Sequence, residues 1–161
     1  MMQTNHNILI AARAQNITIT TAESCTAGLI SAALTDLPGS SVIFERGYVT
    51  YSNRAKIQML SVQSDTLNRF GAVSTEVALE MARGALNASG ADLAVSVTGI
   101  AGPGGSEHKP EGRVCIAVVH KVAVAAAVET TQLIEFGPLG RTKVRHATVR
   151  RALQMILDAL V

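Results

Sequence analysis

Tryptophan is missing from this chain of 161 residues, which has only two tyrosines and three phenylalanines. Alanine, valine, isoleucine and leucine must therefore fill the interior, and small residues favour close contact between helix and sheet. Cysteine is almost as scarce. Cys25 and Cys115 stand alone, with no C-x-x-C spacing, which excludes a disulfide framework and points to reduced thiols in a cytoplasmic setting. Charge of one sign is lacking too: the net charge is +2, and no Lys/Arg stripe is interleaved with aromatics, which argues against a nucleic-acid partner. The apolar stretch KVAVAAAVETT (Lys121 to Thr131) is too short to span a bilayer, and the N-terminus has no basic region followed by a long apolar run, so no membrane partner is expected. No His, Cys, Asp or Glu cluster has the spacing of a metal site, and no metal is expected.

What is present is apolar: 48% of residues are hydrophobic and 16% charged, enough to bury a sheet beneath helices. The length fits a single domain over residues 1–161. Asn7–Asn16 reads as a short helix with Ile8, Leu9 and Ala12 on one face, and the alternating ITITTA (Ile17–Ala22) reads as a strand. Small helix formers run from about Cys25 to Leu34 before TDLPGSS stops them. A strand over Val42–Ser52 contains Gly47, which marks a bulge or a close backbone approach. Asn53–Leu60 reads as a helix capped by Asn53, and a longer helix capped by Ser74 follows, with Val77, Met81 and Leu86 near one face. DLAVSVTG (Asp92–Gly99) is a buried strand, RVCIAVVH (Arg113–His120) and TTQLIEF (Thr130–Phe136) are further strands, and KVAVAAAV links them. A helix over about Arg141–Leu160 closes the chain, with Val149, Leu153, Ile156, Leu157 and Leu160 inward. Alternating strands and helices, then two strands in succession, imply the α/β class: a three-layer α/β/α sandwich with a mixed, mostly parallel sheet.

Chemistry concentrates at TTAESCTAGLISAAL (Thr20–Leu34). Ser24 lies where strand gives way to helix, and capping that helix is its simplest role. The same geometry suits a nucleophile, because free amides at a helix start would stabilise an oxyanion beside it. Gly28 would let a substrate or a neighbouring backbone approach. A serine hydroxyl needs a base. His6, His108, His120 and His146 are poorly placed for that, whereas Lys56 sits in the first turn of its helix, where the dipole opposes the ammonium form. On position alone an exposed structural lysine in a short helix is the leading reading, and Tyr51 and Asn53 either orient its amine or merely end a strand and cap a helix. TGIAGPGG (Thr98–Gly105) follows a buried strand and exposes amides fit to cradle an anion, or forms a long turn. Arg141 and Arg145 share a helix face and suit either a phosphate or solvent.

In their order, TAESCTAGL, FERGYVTYSNRAK, GAVS, SVTGIAGPGGSEHKPEG and GRTKVRHATVRRAL resemble the C-terminal domain of the competence-damage-inducible protein CinA. That family also occurs in stand-alone form, which this chain resembles because the larger N-terminal domain is absent. The family is known as nicotinamide-nucleotide amidohydrolase. The resemblance implies hydrolysis of nicotinamide mononucleotide to nicotinate mononucleotide and ammonia, in pyridine-nucleotide recycling, with no cofactor and as a homo-oligomer. It implies Ser24 as nucleophile, Lys56 as general base and Tyr51 assisting. It further implies substrate contacts from Glu23, Cys25, Thr26, Gly28, Asn53, Thr98, Gly99 and Gly102, with Arg141 and Arg145 as candidates for the phosphate. Two positions depart from the family pattern: Ala27, where a second glycine is usual, and Gly140, where an acidic residue often precedes the arginine.

Two rivals stand beside this reading. A helix N-terminus also lowers a thiol pKa, so Cys25 could serve as the nucleophile of a cysteine amidase. A non-catalytic module that binds a pyridine nucleotide would keep the glycine loop and the arginines and have no need of Lys56. A purely structural role ranks third, since a polar constellation beside a glycine-rich loop exceeds what scaffolding requires.

Overall fold

The computed structural model describes residues 2–106, 108–122 and 125–161. At its centre lies a five-stranded sheet in the order β2-β1-β3-β4-β5. Its strands are β1 (Ile19–Glu23), β2 (Phe44–Val49), β3 (Leu93–Gly99), β4 (Arg113–Val122) and β5 (Ala125–Glu135). β1 pairs in parallel with β2 and β3, while β4 runs antiparallel to both β3 and β5. Every strand but β4 therefore points the same way. The helices are α1 (Met2–Gln15), α2 (Leu29–Thr35), α3 (Asn53–Leu60), α4 (Ser64–Phe70), α5 (Thr75–Ser89) and α6 (Arg141–Leu160), with a short 3-10 turn at Ser40–Val42.

Alternation along the strands builds a core on each face. Leu93, Val95 and Val97 of β3, with Val114, Ile116 and Val118 of β4, pack against α1, α2 and α6. Ala22, Ala94, Cys115, Ala117 and Val119 face α5, which meets them with Ala78, Ala82 and Ala85. Small side chains on both surfaces let α5 lie close, and Ser96 donates its buried hydroxyl to the Ala78 carbonyl. The shortage of aromatics thus becomes close helix–sheet packing.

Several elements match the sequence reading, including the Asn53–Leu60 and Arg141–Leu160 helices and the Ser74 cap, whose hydroxyl accepts the Val77 amide at 3.3 Å. Gly47 proves to be a close approach: a Cβ there would lie 2.5 Å from Ser31 Oγ and 2.8 Å from Thr21 Oγ1. Other expectations are corrected. α2 starts at Leu29, not Cys25, because residues 24–28 form a turn instead. Ser52, not Asn53, caps α3, its hydroxyl accepting the Ala55 amide at 3.1 Å. α4 was not foreseen; it buries only Leu67, and Glu80 of α5 ties it down by accepting from the Gln63 amide and the Thr66 hydroxyl. The expected link over Lys121–Val128 belongs instead to the ends of β4 and β5, apart from residues 123–124, which lie outside the described residues.

Among the described residues, no helix is long and apolar enough to cross a membrane. The carboxyl ends of β1 and β3, both neighbours in the parallel half of the sheet, open on the side where chemistry-bearing residues gather, as in other open α/β sheets.

Candidate active site

Ser24 follows directly on β1 and is 8% exposed. Its amide donates to the Val97 carbonyl of β3 at 3.0 Å, extending the sheet pairing by one residue, and its carbonyl accepts the Ala27 amide at 3.2 Å. Lys56 comes from the next crossover. After β2 the chain runs on to Thr50, whose amide donates to the Glu23 carbonyl at 2.8 Å, and α3 then turns the lysine inward. Lys56 is only 1% exposed, so it is no solvent lysine. Its Nζ lies 3.0 Å from Ser24 Oγ and donates to the Thr50 carbonyl at 2.9 Å.

Burial without a counter-charge disfavours the ammonium form. Among the described residues no carboxylate pairs with Lys56, and desolvation lowers its pKa from 10.5 to about 8, with the nearby Cys25 opposing slightly. A neutral amine has a lone pair to offer the Ser24 hydroxyl while one of its protons remains on Thr50. Cys25 responds to the same burial in the opposite direction. Its thiol is pushed up to about 12, so at neutral pH it is a protonated, inert group beside the serine.

A cavity of about 220 Å³ opens on this pair, lined by Ser24, Cys25, Tyr51, Asn53, Lys56, Ala72, Val73, Thr98, Gly99, Ala101 and Arg141. Thr98 helps to hold the opposite wall by donating its hydroxyl to the Ala72 carbonyl at 2.8 Å. Thr98 and Gly99 belong to the end of β3 rather than to a turn. Lys109 pins the glycine-rich loop to the same wall, donating to the Phe70 carbonyl at 2.8 Å and to that of Val73. Arg141 lies at the mouth, where its guanidinium donates to the Tyr51 hydroxyl at 2.8 Å and to the Gly102 carbonyl at 3.0 Å.

Five expected site residues are bonded to partners within the protein. Tyr51 is 59% exposed and bonded to Arg141, and makes no hydrogen bond to the Lys56 amine. Glu23 is fully buried and its carboxylate is filled from within: Oε2 accepts from Thr26 Oγ1 (2.6 Å) and the Gly28 and Ile30 amides (3.0 Å each), and Oε1 from the Ser31 amide and hydroxyl (2.8 Å each). It, not Ser24, closes the N-terminus of α2, so those amides are taken. Thr26 and Gly28 serve this network, with Gly28 at φ +99°, which an L side chain resists. Arg145 is not among the residues that line the cavity; it donates from Nε to the Cys25 carbonyl at 3.1 Å and from an Nη to the Thr26 carbonyl at 2.9 Å. The amides left beside Ser24 are those of Cys25 and Thr26. Among the described residues, neither donates to a carbonyl or a carboxylate.

Sequence reasoning missed Thr50, Ala72, Val73, Lys109 and Glu111. The Glu111 carboxylate accepts the Gly104 amide at 2.6 Å and the Gly140 amide at 2.8 Å, joining the loop to the start of α6. Ala72 and Val73 carry no chemical signal, and the Thr50 contribution is a backbone oxygen. No group of three or more His, Cys, Asp or Glu side chains that could hold a metal occurs among the described residues.

The family model for the CinA C-terminal domain matches residues 2–160. A protein of Escherichia coli strain K12 named nicotinamide-nucleotide amidohydrolase PncC is 55% identical over 118 residues, which span 73% of this chain and 72% of that protein. A CinA-like protein of Chlorobium phaeobacteroides is 48% identical over 148 residues, 91% of this chain and 35% of the other, so the chain spans about a third of that relative's length. Among solved structures, the competence/damage inducible protein CihA from Agrobacterium tumefaciens superposes with a TM-score of 0.89 at 47% identity, covering 98% of this chain and 93% of that one. A CinA superfamily protein from Klebsiella pneumoniae 700603 gives 0.91 at 33% identity, covering 98% and 96%.

Proposed function

The chain belongs to the CinA C-terminal domain family, and on that premise we propose that it is a nicotinamide-nucleotide amidohydrolase working through a Ser24–Lys56 acyl-enzyme. The observation that carries this reading is the buried Lys56 amine, 3.0 Å from Ser24 Oγ and without a carboxylate partner. The name of the E. coli relative supports the substrate class.

Neutral Lys56 takes the Ser24 proton as Oγ attacks the carboxamide carbon of nicotinamide mononucleotide. Negative charge then develops on the former carbonyl oxygen, and the Cys25 and Thr26 amides are the donors available beside Ser24. Lys56 passes its proton to the amide nitrogen, the carbon–nitrogen bond breaks and ammonia departs, leaving nicotinate mononucleotide esterified to Ser24. Water attacks this ester and gives a proton to Lys56, which returns it to Ser24 Oγ as the acid is released. At pH 7 about a tenth of Lys56 is in the neutral form, given its pKa of about 8, so base and proton donor are both accessible.

The cavity, at about 220 Å³, is smaller than the roughly 300–1,000 Å³ of sites that engulf a whole ligand. It holds the pyridine carboxamide, while ribose and phosphate lie at the mouth, where Arg141 can meet the phosphate.

Ammonia release from nicotinamide mononucleotide, measured on wild type, Ser24→Ala and Lys56→Ala, tests the reading. Loss of at least ~10³-fold in both variants is expected. Binding of the nucleotide by wild type with no ammonia produced would make the chain a binding module instead.

A further inference from the structure

We propose that Arg145 is a positioning residue for the nucleophile loop, gripping the Cys25 and Thr26 carbonyls so that the peptides beside Ser24 stay in register for the reaction. The proposal rests on the hydrolase reading above and assigns Arg145 a place in it other than phosphate binding.

Little within residues 24–28 holds the loop. Its internal bonds are long, Ala27 amide to Ser24 carbonyl at 3.2 Å and Leu29 amide to Thr26 carbonyl at 3.3 Å, and Ala27 sits at φ +51°. Its geometry is imposed from outside, by two opposite charges. On one side the Glu23 carboxylate collects donors: the Thr26 hydroxyl and the Gly28 and Ile30 amides. On the other, the Arg145 fork collects acceptors, the two consecutive carbonyls of Cys25 and Thr26. A planar guanidinium suits such a pair of oxygens, whereas a lysine ammonium is a point charge.

Peptide planarity carries this grip to the reacting centre. The Cys25 carbonyl and the Thr26 amide lie on opposite edges of one trans peptide, so fixing the oxygen aims the N–H away from Arg145. A carbonyl bonded to a cation also polarises its own peptide, which strengthens that N–H as a donor. Arg145 is absent from the cavity lining, which includes Arg141 four residues earlier on the same helix. Neighbours on one face of α6 thus divide the labour, Arg141 at the mouth and Arg145 beneath the loop.

Two substrates separate positioning from phosphate binding: nicotinamide mononucleotide and nicotinamide riboside, which lacks the phosphate. For Arg145→Ala, kcat is expected to fall by ~10²-fold on both, with KM for the nucleotide changing by less than about threefold. Arg145→Lys, able to hold one carbonyl, should fall between Arg145→Ala and wild type. A loss confined to the phosphorylated substrate, or appearing in KM alone, overturns the proposal. Amide hydrogen exchange by NMR gives a readout that needs no turnover. Faster exchange at Ala27 and Leu29, whose amides close the bonds of the loop, in Arg145→Ala, with β3 unchanged, supports the grip, and unchanged exchange at both overturns it. If wild type releases no ammonia from either compound, the hydrolase reading falls, and exchange alone decides whether Arg145 orders the loop.

Discussion

The carbonyl oxygen of Leu60 occupies the space beside Gly84 so closely that a Cβ on the glycine would lie 1.9 Å from it. α3 therefore ends against the bare backbone of α5, and Lys56 is one turn back along α3 from that contact. Gly84→Ala must push the two helices apart and carry the lysine with them. Stability should fall by about 1–3 kcal/mol, and ammonia release by more than ~10-fold, since small displacements of a catalytic group are costly. Thermal melts alongside the assay check both; an unchanged rate would show that α3 does not transmit the shift.

Burial of Lys56, the proposed base, imposes a pH signature on rate and stability together. Activity should rise with pH through about 8 as Lys56 loses its proton. Stability should rise over a related window. Below pH 8 the folded chain carries the full penalty of a buried ammonium; between about 8 and 10.5 the folded lysine is neutral while the unfolded one is still charged, so stability climbs with pH. Relative to Lys56→Met, wild type should gain about 3 kcal/mol across that interval and nothing more beyond it. Urea unfolding at a series of pH values measures the difference, and parallel curves for the two proteins would refute the assigned burial effect.

Cys25 lines the cavity, yet its thiol is held at about 12. Cys25→Ala should keep wild-type ammonia release within about threefold, and iodoacetamide at pH 8 should leave the enzyme active over the time that alkylates an ordinary thiol. Loss of activity in this variant, with Ser24→Ala still active, would move the nucleophile one residue along.

Ala27 sits at φ +51°, in the left-handed region. The left-handed region costs an L-residue ~1–2 kcal/mol, partly offset by the extra freedom that glycine has when unfolded. Ala27→Gly should therefore stabilise the chain by about 0.5–1 kcal/mol and raise Tm by ~2–3 °C. Calorimetry reads this directly, and a lower Tm would mean that the strain is absent.

Local patterns announced much of the fold. The Arg141–Leu160 helix showed in its apolar spacing, the Asn53–Leu60 helix as a short run behind a capping residue, and β3 in its unbroken apolar run. Where the outcome depended on distant partners the sequence was opaque. Helix formers from Cys25 onward suggested an early start to α2, but the Glu23 carboxylate claims the amides of Gly28, Ile30 and Ser31 and the helix starts at Leu29. Lys56 looked exposed in a short polar helix, and only the packing of α3 on α5 shows that it is enclosed. The resemblance implied Ser24 as nucleophile with Lys56 as its base, while no local pattern brings them together: their contact arises because β2 lies beside β1 and carries the chain on to α3. Pairings such as Arg141 with Tyr51, ninety residues apart, have no local signature.

One carboxylate, Glu111, holds the amides of Gly104 and Gly140 at once. With the bond from Arg141 to the Gly102 carbonyl, this ties the glycine strap to the start of the helix that carries Arg141. Strap and helix start are thus one mechanical unit, and a displacement of either would be felt by the other.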